Sequence, residues 1–220
     1  MASDSSALRL RLHGGDQHAL AELFSLQRDR LWRTVHFRLD RRLAGRVDAD
    51  DVLQEAFLAA TARIHHYLED PAVSMFVWLR AIVMQTLIDV HRRHIGAQMR
   101  DAGREISIHS PFTLATSVSL AAQLLGRFTS PSQAAIRAEL AAQLESVLEN
   151  LNPIDQEIVA LRHFEELTNT EVAEVLGLTQ KAASIRYIRA LTRMKEILAH
   201  MPGFIDSEVS TAGTPPPNLS

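Results

Sequence analysis

Residues 168–198 read TNTEVAEVLGLTQKAASIRYIRALTRMKEIL. Thr168 and Glu171 form a T-x-x-E capping box for a short helix that Gly177 stops, and Thr179 is placed to cap a longer helix running to about Leu198. A short helix, a tight glycine turn and a longer helix make a helix-turn-helix. On the second of these helices Arg186, Arg189 and Arg193 share one face, while Ala183, Tyr187, Leu191, Met194 and Leu198 form the opposite, core-facing stripe. From Arg137 to Gly177 there are two basic residues against nine acidic, net −7; from Leu178 to His200 there are five against one, net +4. The positive charge therefore sits on the last helix, where arginines would meet phosphates and base edges of a major groove.

Working back from this motif, Asn152 and Pro153 occupy the cap and first-turn positions each prefers, which predicts a helix ending near Phe164. Another helix is expected from near Ile136 to about Asn150. Between Gly103 and Ala135 only Arg104, Glu105 and Arg127 are charged, nine residues are Ser or Thr, and prolines stand at 111 and 131. So long a connection would be unusual inside one domain and is read as a flexible linker. After Met201 the tail carries Pro215 to Pro217 and reads as disordered. The expected parse is a helical domain over 1–102, a linker over 103–135, a helix-turn-helix domain over 136–200 and a tail over 201–220.

In the first domain Asp16 can cap a helix carrying Leu20, Leu23, Phe24, Leu31 and Val35 at helical spacing, to about Leu39. Asp48 can cap a second, with Asp50, Asp51 and Glu55 in or near its positive first turns and Val52, Ala56, Phe57, Ala60 and Ile64 behind them. Ser74 opens a third, to about Met99. This third helix ends in His91, Arg92, Arg93 and His94 and begins beside Tyr67, Phe76 and Trp78, and cations near flat apolar rings suit single-stranded nucleic acid. Asp51, Gln54 and Glu55, within about one turn, offer carboxylates and an amide to a basic partner helix.

Composition narrows the class. The chain has 220 residues, no cysteine, 5% aromatics and a net charge of −3. Few aromatics disfavour a β-rich fold, so the expected class is all-α: two small helical domains joined by a long flexible linker, the second containing the helix-turn-helix. The absence of cysteine removes disulfide frameworks and thiolate catalysis and suits a cytoplasmic protein. The longest apolar stretch, Met75 to Val90, is interrupted by Arg80, Gln85 and Asp89 and falls short of a membrane span. No acid, base or nucleophile set stands at recognisable catalytic spacing, and no glycine loop for phosphates is present, so neither enzyme activity nor a cofactor is expected. His91 and His94 lie three apart on a helix, but without an H-E-x-x-H pattern or cysteines no metal site is expected.

Three stretches carry a resemblance: DADDVLQEAFLAA (48–60), FVWLRAIVMQTLIDVHRR (76–93), and residues 151–198 from LNPIDQEIVALRHFEEL to RALTRMKEIL. In this order and spacing the chain resembles bacterial sigma factors of the extracytoplasmic-function group of the sigma-70 family. That group keeps only the second and fourth conserved regions, joined by a linker. The resemblance implies a subunit that binds core RNA polymerase and directs it to promoter DNA. It implies that Asp51, Gln54, Glu55 and Phe57 lie in the segment docking on the polymerase clamp helices. The loop from His65 to Ser74 and the third helix would read the melted minus ten element through His66, Tyr67, Trp78, Gln85, Arg92 and Arg93. Gln85 stands where many members carry Asn. The minus thirty-five element would meet Thr179, Lys181, Ser184, Arg186, Arg189 and Arg193, although Lys181, Ala182 and Ala183 replace the frequent Gly-Thr-Val. An anti-sigma factor is a further implied partner, and the free protein is expected to be a monomer without membrane attachment. The alternatives are a stand-alone helix-turn-helix regulator whose first domain senses or dimerises, and a purely protein-binding helical scaffold.

Overall fold

The computed structural model describes residues 2–16, 18–40, 43, 45–99 and 151–199. The expected linker, the helix at 136–150 and the tail lie outside the described residues. Every described element is helical. Helix α1 (Ala2–His13), absent from the sequence reading, buries Leu8 and Leu12. Arg11 closes the turn after it, bonding Asp16 at 2.9 Å and both carboxylate oxygens of Glu22 at 3.1 and 2.9 Å.

Helix α2 (His18–Arg38) starts where Asp16 Oδ1 accepts the His18 N–H at 3.0 Å. Helix α3 (Ala49–Glu69) starts on a reciprocal capping box: Asp48 Oδ1 accepts the Asp51 N–H at 2.8 Å, and Asp51 Oδ2 accepts the Asp48 N–H at 3.2 Å. Helix α4 (Met75–Met99) follows a loop tied down by the Tyr67 hydroxyl, which donates to the Val73 carbonyl at 3.0 Å. Leu20, Leu23, Leu31 and Val35 of α2, Val52, Ala56, Ala60 and Ile64 of α3, and Leu79, Val83 and Leu87 of α4 fill the core between them. Each fully buried leucine or valine is worth about 1.5–3 kcal/mol.

Among the described residues the second domain starts with α5 (Pro153–Val159), whose cap Asn152 accepts the Ile154 N–H at 3.0 Å. The helix then widens into a π turn over Ala160–Phe164, and the Glu165 N–H reaches back five residues to the Ala160 carbonyl at 3.1 Å. Glu166 follows with φ 57°. Helix α6 (Asn169–Leu176) carries the Thr168–Glu171 capping box, with Gly177 left-handed at φ 63°. Helix α7 (Gln180–Ala199) opens on Thr179, whose hydroxyl accepts the Ala182 N–H at 3.1 Å, and buries Ala183, Ala190 and Met194.

The two domains are packed on one another. Phe37 stacks on Phe164 at 5.1 Å between ring centroids, and Leu161, Leu167 and Val172 join the same apolar cluster as the first domain's core. The expected parse into separate domains did not include this contact. Its chemistry is the meeting of arginines on α2 and α4 with the acidic surface of α5 and α6.

Candidate nucleic-acid interface

The outward side of α7 exposes Lys181, Arg189 and Arg193, with Arg193 3.3 Å from Glu196. Ser184 is half-buried, and the Thr179 hydroxyl is engaged as the helix cap. Arg186 departs from the expected face: it is half-buried and donates to Asp155 Oδ1 at 3.0 Å, turned toward α5. The helical repeat groups it with Arg189 and Arg193, but a carboxylate on the neighbouring helix claims its guanidinium. Tyr187 is half-buried against the core, with its hydroxyl 2.9 Å from His163 Nε2.

In the first domain His66, Gln85, Arg92 and Arg93 are exposed and Trp78 is half-buried. Gln85 donates to Asp89 at 3.2 Å along α4. Tyr67 corrects the sequence reading. It is buried, lies 4.8 Å from the Trp78 ring and holds Val73, so it shapes the loop under Trp78 instead of offering a face to a base.

On α3 the side chains of Asp51, Gln54 and Glu55 are exposed, and Phe57 is half-buried edge-on to Phe24 at 5.2 Å. Arg93 donates to Glu55 at 2.5 Å, so the acidic helix and the basic end of α4 touch. This exposed pair adds little stability. His91 accepts the Asp40 N–H at 3.4 Å. Among the described residues no three His, Cys, Asp or Glu side chains gather as a metal ion would require.

Sequence reasoning missed the group with the largest electrostatic signature. Glu165 is fully buried, accepting from Arg38 Nε at 2.6 Å, Arg80 Nε at 2.7 Å, Arg80 Nη2 at 3.0 Å and the Thr34 hydroxyl at 2.9 Å. Arg38 also reaches both carboxylate oxygens of Glu157, at 2.5 and 3.1 Å. Burial alone would raise the Glu165 carboxyl; the two guanidiniums override it and hold the group down at about 2. Burial likewise works to lower Arg38, and the carboxylates of Glu157 and Glu165 override it. Nearby, Arg30 stacks over Phe76 at 3.6 Å and donates to Glu171 at 2.7 Å. Desolvation opposes ionisation of Glu171, but its bonds to Arg30 and Thr168 hold the carboxyl below its ordinary range. The available signals were Arg80 inside an apolar run and the −7 imbalance of 137–177.

A basic helix-turn-helix on one helical domain, and a cation-and-aromatic surface beside an acidic helix on another, define a two-domain DNA-binding protein. The Sigma-70 region 2 model matches residues 23–95 and the Sigma-70, region 4 model matches residues 147–196, together more than half of the chain. The chain is 29% identical over 182 residues to the ECF RNA polymerase sigma factor SigD of Mycobacterium tuberculosis, covering 83% of this chain and 78% of that one. It is 25% identical over 201 residues to the ECF RNA polymerase sigma factor BldN of Streptomyces coelicolor, covering 88% and 68%. With the ECF RNA polymerase sigma factor SigW of Bacillus subtilis it shares 21% over 185 residues, covering 84% and 91%. In fold it is similar to CnrH, solved in complex with the cytosolic domain of CnrY, at a TM-score of 0.50 and 22% identity over 89% of this chain and 97% of that one. The chain belongs to the sigma-70 family, in its extracytoplasmic-function group. It is a sigma factor, a transcription initiation subunit that works with core RNA polymerase on promoter DNA, and the stand-alone regulator reading is not favoured. Among the described residues no helix is long and apolar enough to cross a membrane.

Proposed function

We propose that the exposed acidic side of α3, with Asp51, Gln54 and Glu55, docks on a basic surface of core polymerase, while Phe57 fixes the helix against α2. The two domains then divide the promoter. Helix α7 enters the duplex major groove with Lys181, Ser184, Arg189 and Arg193, and Thr179 holds its first turn toward the phosphates. The α3–α4 loop and α4 take the melted minus ten strand: Trp78 supplies a flat apolar surface, His66 and Gln85 supply polar contacts, and Arg92 and Arg93 hold the backbone at the duplex edge. Tyr67 and Arg186 position these surfaces from behind. In this reading the protein has no catalysis of its own, acts in the cytoplasm, is a monomer when free, and is restrained by an anti-sigma factor.

The observation that supports this assignment is the pairing of an exposed acidic helix start on one domain with an exposed basic helix on a capped helix-turn-helix in the other. The test is transcription from genomic promoter fragments with the purified chain and core polymerase. Specific run-off products are expected only when both are present. Tight duplex binding by the chain alone, with no transcripts from the mixture, would refute the proposal.

A further inference from the structure

The line of α7 turned furthest from the core is apolar. At about 100° per residue, Ala183, Ala190 and Met194 mark the buried side of the helix, and the opposite direction runs through Ile185, Ile188 and Thr192. Ile188 is 64% exposed and Ile185 is 46% exposed. Side chains three apart are neighbours on a helix surface, so the two isoleucines form one patch. The Thr192 hydroxyl is turned back to the Ile188 carbonyl at 3.0 Å and adds no free donor to it. Lys181 precedes the patch by one turn, and Arg189 and Arg193 border one flank, all three exposed.

A solitary exposed isoleucine is ordinary on a protein surface. Two together on the outermost line of this helix serve no packing among the described residues, where α7 lays its other side on α5 and α6. Helix formation does not call for them either, because a branched Cβ makes isoleucine a poorer helix former than alanine, lysine or arginine. The result is an apolar strip rimmed by positive charge. A second copy of this chain fits such a strip poorly, since the same lysine and arginines would face one another across it. The major groove of DNA fits it well. Phosphates line the rims, where cations go, and on the floor the thymine C5 methyl is the apolar group among the base edges.

We propose that Ile185 and Ile188 read thymine methyl groups in the duplex element that α7 engages, giving this factor a preference for T·A pairs at two neighbouring positions. The proposal rests on the sigma-factor reading above, in which α7 lies in the major groove, and adds which bases it selects there. The two residues are about 4.5 Å apart along the helix axis, close to the roughly 3.4 Å step between base pairs, so they address adjacent pairs. Isoleucine offers no donor or acceptor, so a G·C pair beneath it has its polar edge covered and left unpaired, which disfavours that sequence. Lys181, Arg189 and Arg193 meet phosphates and add affinity whatever the sequence, while the isoleucines supply the discrimination.

Deoxyuridine pairs as thymidine does and lacks only the methyl group, so it isolates the contact. The probe is the genomic promoter fragment giving the strongest run-off with the full chain and core polymerase, with deoxyuridine replacing thymidine one position at a time in the upstream duplex element. With the unaltered chain, replacement at two adjacent positions should weaken the promoter complex about fourfold each, the scale of one methyl group withdrawn from an apolar contact. Ile188→Ala should weaken binding to the thymidine fragment by a similar factor and lose the sensitivity at one position, and Ile185→Ala at the other. Both variants place a better helix former at an exposed site, so circular dichroism should show the fold retained. Arg189→Ala should weaken every fragment alike and keep the sensitivity. Equal binding of thymidine and deoxyuridine fragments by the unaltered chain would overturn the proposal. So would isoleucine variants that keep the full sensitivity, or that bind DNA normally and differ only in self-association on sedimentation, which would assign the patch to a second copy. Should no fragment give run-off, the sigma-factor reading falls. The methyl contact is then decided by offering the full chain alone a randomised duplex pool copied with either dTTP or dUTP: preferential recovery of the thymidine pool supports it, and equal recovery ends it.

Discussion

Acid should loosen the contact between the domains through one carboxylate. Arg38 and Arg80 hold the buried Glu165 carboxyl down at about 2, against an ordinary 4.5 in the unfolded chain. Each unit corresponds to about 1.4 kcal/mol, so ionised Glu165 favours the folded state by about 3 kcal/mol. A depressed carboxyl contributes this in full above pH 4.5 and loses it progressively as pH falls toward 2. The groups facing it are Arg38, Arg80 and the Thr34 hydroxyl, with Glu157 on the outer side of Arg38. Both arginines stay charged throughout this range, so protonating Glu165 leaves them facing a neutral acid. The assay is urea unfolding of the unaltered chain and of Glu165→Gln, repeated from pH 7 to pH 3. The gap between them should be about 3 kcal/mol at pH 7, a large part of the stability of an ordinary domain, and should close as pH drops below 4.5. A gap that stays constant down to pH 3 would refute the reasoning, because the glutamine variant would then differ by something other than the lost charge.

Three further outcomes follow from the exposed surfaces. Reversing charge at Asp51 and Glu55 together should weaken binding to core polymerase at least tenfold and cost about 1 kcal/mol through the lost Asp51 cap, read by affinity and by thermal melting; unchanged affinity removes this side of α3 from the mechanism. Arg189→Ala with Arg193→Ala should weaken duplex binding and flatten its salt dependence by about one unit per lost phosphate contact, whereas Arg186→Ala should mainly lower the melting temperature; equal salt slopes for the two variants would contradict the placement of Arg186 against Asp155. Replacing Arg92 and Arg93 by Ala should slow strand opening in permanganate footprinting and be rescued by a pre-melted template, and rescue of the Arg189 and Arg193 variant to the same degree would end the proposed division of labour.

What the sequence disclosed was local. Asp48 with Asp51, Thr168 with Glu171, and Asn152 before Pro153 are pairs within four residues whose bonds form as soon as the helix does, and the structure contains all of them. Gly177 is of the same kind, since the left-handed turn it makes is nearly free for glycine and costly for other residues. Periodicity went one step further and placed the core leucines, but it fixes only an angle about a helix axis. Arg186 and Arg189 lie within one arc of α7, and what separates them is Asp155 on α5, which no repeat reveals. Tyr67 is similar: aromatic and next to a basic helix, it is taken inward by Val73 and Trp78.

The domain contact lay further out of reach, because its partners are 127 and 85 positions apart in the chain. Two sequence facts pointed to it without being joined. Arg80 breaks an apolar run in which a lone charge is expensive, and residues 137–177 carry nine acidic residues against two basic. A buried arginine requires a buried acid, and the surplus of acid in the second domain supplies it. The π turn and left-handed Glu166 bend the chain at the position where Glu165 points inward toward both arginines. Neither device improves the fold of the second domain taken alone, since a widened turn and a positive φ at a glutamate both work against stability. Their effect is felt across the interface, where Glu165 meets both arginines.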